Sequence, residues 1–108
     1  MAKKLTEKQI ETLESKGFNR WTKYGKDRLY FDLEKAGLMK VSRYKTGNIS
    51  SAYYKGEKIA NSQAGRLLSV KVWLDLDENG RCYTSSNSEN SEIVADEAKK
   101  IRQEVAGF

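Results

Sequence analysis

The chain has 108 residues, with 20 Lys and Arg against 15 Asp and Glu, no His, no Pro and a single Cys. That length predicts one domain with one core, and 32% charged residues against 38% hydrophobic ones predict a heavily ionised surface. Without imidazole there is no Ser-His-Asp or Cys-His couple and no His metal ligand, and Cys82 alone makes neither an internal disulfide nor a Cys-rich zinc site. These counts favour a binding protein over an enzyme and call for no cofactor.

The opening Met1-Ala2-Lys3-Lys4 runs into Leu5-Thr6-Glu7-Lys8-Gln9 and not into the apolar stretch that a signal peptide needs. No window approaches the roughly 18 apolar residues of a membrane span, and a lone Cys suits a reducing compartment. The expectation is a cytoplasmic protein with no membrane partner.

The first element is the most legible. Thr6 with Gln9 three residues on is a capping box, in which each side chain satisfies a backbone N–H that the helix start leaves without a partner. Leu5 and Ile10 form the matching hydrophobic staple, and Gly17 closes the last turn so that Phe18 folds back on Leu13. From Arg20 to Leu33 the apolar pattern changes to period two. Leu29, Phe31 and Leu33 share one side and Arg28, Tyr30 and Asp32 the other, which predicts a strand. Residues 21–24 read as its partner, joined by Tyr24-Gly25-Lys26-Asp27 with Gly placed for a two-residue type II′ turn. Asp32-Leu33-Glu34-Lys35-Ala36-Gly37 predicts one short helical turn, capped by Asp32 and stopped by Gly37.

A second hairpin is expected over residues 39–54, with Val41 and Ile49 flanking Lys45-Thr46-Gly47-Asn48; its alternation is weak, so its register stays open. Tyr53 and Tyr54 point to opposite faces, which puts one of them in the core. Lys55-Gly56-Glu57-Lys58 is a further turn, after which Asn61 or Ser62 caps a brief helix through Leu68 that contains Gly65. Residues 70–77 are the strongest strand, because Val70, Val72, Leu74 and Leu76 make an unbroken apolar face, and this strand belongs at the centre of the sheet. Trp73 lies on its other face, where a covering helix is expected. Asn79-Gly80 signals a hairpin in which Leu76 faces Tyr83 in a type I′ turn, or Cys82 in a type I turn with a Gly bulge. Residues 84–91 are rich in Ser and Asn and read as a solvated loop. A last helix then spans residues 92–106, with Val94, Ala98, Ile101 and Val105 as its stripe. The fold class is α+β in a single domain. It has a mostly antiparallel sheet of about six strands, with N-terminal, short middle and C-terminal helices packed on it.

Charge is distributed unevenly. Residues 16–58 hold eleven bases against four acids, a net +7, whereas residues 59–108 hold six bases against eight acids, a net −2. Eight of the eleven aromatic residues lie in the basic segment. With the expected turn, Trp21 opposes Tyr30 and Lys23 opposes Arg28 on the face away from Leu29 and Phe31. Rings that stack on bases, beside cations that neutralise phosphates, are the equipment of sheet-type single-strand binders. Tyr and Trp also favour strands, and Lys protects sheet edges, so the same composition suits an ordinary basic domain. The acidic C-terminal half reads as scaffold. Asp75-Leu76-Asp77-Glu78-Asn79-Gly80 matches the first half of a calcium loop, but position twelve is Ser86 where a bidentate Glu is needed, and a strand precedes it in place of a helix. A charged hairpin tip is the better account, and no metal ligand set is expected.

The stretch 16–59 contains Gly17-Phe18-Asn19-Arg20-Trp21, Asp27-Arg28-Leu29-Tyr30 and Thr46-Gly47-Asn48-Ile49-Ser50, and continues to Asn61-Ser62. It resembles small uncharacterised proteins of bacterial genomes and their mobile elements. The resemblance implies no activity and no catalytic residue. It implies a context, that of prophage-type accessory proteins that bind host machinery or nucleic acid, inhibitors of host defence such as anti-CRISPR proteins among them. The leading expectation is a cytosolic, non-enzymatic module that contacts nucleic acid through Arg20, Trp21, Lys23, Lys26, Arg28 and Tyr30, with Arg43 and Lys45 nearby. The runner-up is an accessory protein acting by protein–protein interaction on an acidic partner, and a third is a domain with no nucleic-acid role. Oligomeric state stays open.

Overall fold

The computed structural model describes residues 4–77, 79–86 and 88–108. Helix α1 (Glu7–Lys16) begins where the capping box puts it: Gln9 N–H donates to the Thr6 hydroxyl at 3.2 Å and Thr6 N–H to Gln9 Oε1 at 2.9 Å. Gly17 ends it with φ 131, and its N–H donates to the Leu13 carbonyl. Leu13 and Phe18 are both wholly buried.

Strands β1 (Phe18–Lys23) and β2 (Lys26–Phe31) form the first hairpin. Its turn is centred one residue earlier than expected. Tyr24 and Gly25 both have positive φ, 55 and 72, so the turn is type I′ and not II′. Lys23 therefore pairs with Lys26, Trp21 with Arg28 and Asn19 with Tyr30, in place of the expected Trp21–Tyr30 and Lys23–Arg28 pairs. An ion pair accounts for the choice, because this register sets Asp27 beside Thr22 and Arg20. The carboxylate accepts from Arg20 Nε at 3.1 Å, from Arg20 Nη2 at 2.8 Å and from the Thr22 hydroxyl at 3.2 Å. Moving the turn by one residue moves the register by two, so each side chain keeps its face.

The turn at residues 32–37 forms as expected. Asp32 Oδ1 accepts from the N–H groups of Glu34 and Lys35, and Gly37 has φ 77. Strands β3 (Met39–Arg43), β4 (Ile49–Tyr54) and β5 (Glu57–Ile59) then make a separate three-stranded antiparallel sheet. A bulge between Ser42 and Arg43 shifts the register and accounts for the weak alternation. Tyr54 faces the core while Tyr53 is 42% exposed. The turn into β5 is again type I′, with φ 52 at Lys55 and 84 at Gly56.

Helix α2 (Asn61–Ser69) has Ala60 as its N-cap, with no capping side chain; neither Asn61 nor Ser62 caps it. The Asn61 amide is used elsewhere, donating to the carbonyls of Ile49 and Ser50. Strand β6 (Val72–Asp75) is shorter than expected but lies between β2 and β7 (Arg81–Thr84), so the strongest strand is central. Leu74 pairs with Cys82 and Asp75 with Arg81. Both turns proposed at Asn79-Gly80 are thereby overturned, because Cys82 is paired with Leu74 and Tyr83 with Trp73, so neither faces Leu76; Glu78 lies outside the described residues. Helix α3 (Glu89–Ala106) starts a turn early. Ser88 caps it, accepting from Ser91 N–H, and Ser91 is buried where a solvated loop was expected.

The described residues thus form seven strands in two sheets, of order β1-β2-β6-β7 and β3-β4-β5, with three helices. Leu29, Val72 and Leu74 on the inner face of the four-stranded sheet pack with Leu13 of α1 and Val94 and Ala98 of α3. Met39, Ala52, Ala64 and Leu67 extend the same core to the smaller sheet and α2. Among the described residues no helix is long and apolar enough to cross a membrane.

Candidate nucleic-acid interface

Because strand side chains alternate, the residues paired with the buried row leave a second set on the outer face of the four-stranded sheet. Across the strands this face carries Trp21, Arg28, Tyr30, Trp73 and Tyr83. The register places Tyr30 opposite Trp73 and Trp73 opposite Tyr83. The rings form a continuous row. Trp21 meets Tyr30 edge-on with centroids 6.0 Å apart, Tyr30 lies 5.7 Å from Trp73, and Trp73 stacks on Tyr83 at 6.0 Å with planes 20° apart. All four are half-buried. Trp73 is thus covered by neighbouring rings and by Arg28, not by the helix expected over it.

Arg28 lies over this floor. Its guanidinium carbon is 5.0 Å from the Trp73 ring centroid and 6.0 Å from that of Trp21, and Nη1 donates to the Tyr30 hydroxyl at 3.2 Å. A cation over two indoles is held by their ring quadrupoles. Among the described residues no carboxylate forms a salt bridge with Arg28, and its buried Nε has no acceptor. Lys23 and Lys26, both exposed, face each other near the hairpin tip, and Arg81 lies across from Asp75. Among the described residues, the paired strand positions of the outer face therefore carry four bases (Lys23, Lys26, Arg28, Arg81) against one acid, Asp75. At the other end of the row Asn19, Tyr30 and Lys71 border a cleft of about 280 Å³.

Trp21, Lys23, Arg28 and Tyr30 share this face as the sequence predicts, and the displaced turn brings Lys26 onto it beside Lys23. Three other candidates do not. Arg20 is on the inner side of β1, bound to Asp27 and to Glu7 of α1 at 3.1 Å. Those two carboxylates push its pKa above the ordinary arginine range, while hydrogen bonding from Arg20 holds the Asp27 carboxyl below its usual value. Arg43 belongs to the smaller sheet and is paired with Glu34 at 2.6 Å, and Lys45 sits in the exposed β3–β4 connection. Trp73, Tyr83 and Arg81 come from the half read as scaffold. Their only sequence signal was position: Trp73 falls on the face opposite Val72 and Leu74. Cys82 points to the inner side, where burial pushes its thiol pKa up. Among the described residues no group of three or more Cys, Asp or Glu gathers as a metal ion would need.

No protein-family model matches this chain, and no curated protein or solved structure matches it either.

Proposed function

We propose that this chain is a cytosolic, non-enzymatic protein that binds single-stranded nucleic acid on the outer face of its four-stranded sheet. One observation carries the reading: four rings in contact along one face coincide with an excess of four bases over one acid. Unpaired bases expose π-faces that stack on such rings, whereas a duplex keeps its bases stacked on each other. The cations at the margins suit the phosphates between successive bases. Arg28, fixed on two indoles with no carboxylate salt bridge, supplies both a planar stacking surface and donors for an anionic oxygen.

Titration of labelled single-stranded and duplex DNA and RNA tests this. Single strands are expected to bind more tightly, with log affinity falling against log salt at a slope of about −2, as for about three neutralised phosphates. Trp73→Ala is expected to weaken binding about tenfold, with duplex affinity less affected. Failure to bind at low salt, or a flat salt dependence, overturns the reading.

A second reading is a mobile-element accessory protein that docks on an acidic protein. The preassembled Trp, Tyr and Arg cluster favours it, since these residues dominate the energetic centres of protein interfaces. A partner retained in pull-down after nuclease treatment, and lost in Trp73→Ala, would establish it in place of the first.

A further inference from the structure

We infer that Tyr24, at the tip of the first hairpin, is an additional stacking residue that closes on Trp21 to hold one unpaired base at the end of the ring row. The inference rests on the single-strand reading above and names a residue which that reading does not need.

The backbone at Tyr24 has φ 55, in the left-handed region, and its side chain is 90% exposed. The first central position of a type I′ turn is occupied without strain by Asn, Asp or Gly, because a short polar side chain or none avoids the clash with the backbone. A tyrosine there carries the strain, and its exposure leaves little burial to offset it. The second type I′ turn has the same kind of residue with an evident reason. Lys55, φ 52, reaches Glu97 at 2.6 Å and lies over the Tyr54 ring. Tyr24 has Trp21, with ring centroids 6.4 Å apart and planes 50° apart, so it leans toward the outer face. Lys23 and Lys26 flank it on that face.

A base sandwiched between two rings needs them parallel and about 7 Å apart, twice an ordinary carbon contact. The Trp21–Tyr24 separation is close to that, and an exposed ring on the tip of a hairpin can rotate through the remaining angle. The flanking ammonium groups are placed for the phosphates on either side of the held base. The row Trp21, Tyr30, Trp73 and Tyr83 then forms the bed and Tyr24 its one two-sided clamp.

The test compares wild type, Tyr24→Asn, Tyr24→Phe and Trp73→Ala for binding to an oligothymidylate of about 12 nucleotides, with thermal melting of each. Tyr24→Asn is expected to raise the melting temperature by about 2–4 °C through relief of strain, yet to weaken binding about tenfold through loss of the ring. Tyr24→Phe is expected to bind within about twofold of wild type, since stacking needs the ring and not the hydroxyl. If Tyr24→Asn binds like wild type while Trp73→Ala is impaired, the clamp is wrong and the platform stands. A Phe variant as weak as the Asn variant also overturns the clamp. If wild type does not bind, platform and clamp fall together.

Discussion

At Gly17 a Cβ would lie 2.5 Å from the Cβ of Ala36 and 2.8 Å from its Cα, on a backbone with φ 131. The end of α1 and the turn at residues 32–37 are therefore in contact through the absence of a side chain, which no period or propensity announces. The sequence marked Gly17 as a helix stop, but the close approach comes from packing. Gly17→Ala is expected to destabilise the fold by at least about 2 kcal/mol, adding backbone strain to displacement of the turn, as urea denaturation would measure. Asp27 gives a pH dependence. Hydrogen bonding from Arg20 lowers its folded pKa below the ordinary 3.8, opposed by partial burial and aided by Thr22. The folded state therefore binds the proton less readily than the unfolded chain. The resulting stability is complete above pH 3.8 and is lost as pH falls through the lower folded value. Stability followed from about pH 5 to pH 2 should decline, and Asp27→Asn should flatten part of that decline while lowering stability near neutrality.

Local chemistry wrote the elements with different clarity. The capping box of α1 is reciprocal, local and carried by two named side chains, so its start was legible to the residue. The start of α2 was not, because Asn61 has the right chemistry for a cap but donates to β4 carbonyls instead. That leaves Ala60 as an N-cap with extended backbone and no side-chain acceptor. Ala60→Ser is expected to stabilise the protein by about 0.5–1 kcal/mol by supplying that acceptor, measurable as a shift in the denaturation midpoint at unchanged slope. The hairpins show a similar division. The period of two assigned faces correctly in β1 and β2 even though the turn is displaced, since face depends on parity and not on the pairing partner. Register needed more: the Arg20–Asp27 pair in the first hairpin and the bulge at Ser42 in the second.

Across the whole molecule the net +7 of residues 16–58 is not one patch. Its arginines divide among three environments. Arg20 is tied to Glu7 and Asp27, Arg43 to Glu34 across the turn, and Arg28 rests on the indoles of the outer face. Arg28→Gln is thus expected to weaken single-strand binding about tenfold. Arg43→Gln should stay within about twofold under the same salt, and equal losses in both would mean that diffuse charge and not the ring row does the binding. The aromatic residues are also redistributed. Phe18 and Phe31 enter the core with centroids 5.0 Å apart, Tyr53 and Tyr54 go to the smaller sheet, and the row is completed by Trp73 and Tyr83 from the acidic half. By itself the sequence determined what is local: the α+β class, the α1 cap, the turn at Asp32, the central apolar strand and the shared face of Trp21, Lys23, Arg28 and Tyr30 in the first hairpin. These follow from spacing, capping and parity, which operate over a few residues. The pairing of β2 with β6 was decided only in the tertiary structure, because it joins strands distant in the chain through backbone hydrogen bonds that any sequence can make. That pairing sets Tyr30 beside Trp73, and so joins the rings of the first hairpin to those of the acidic half in one row.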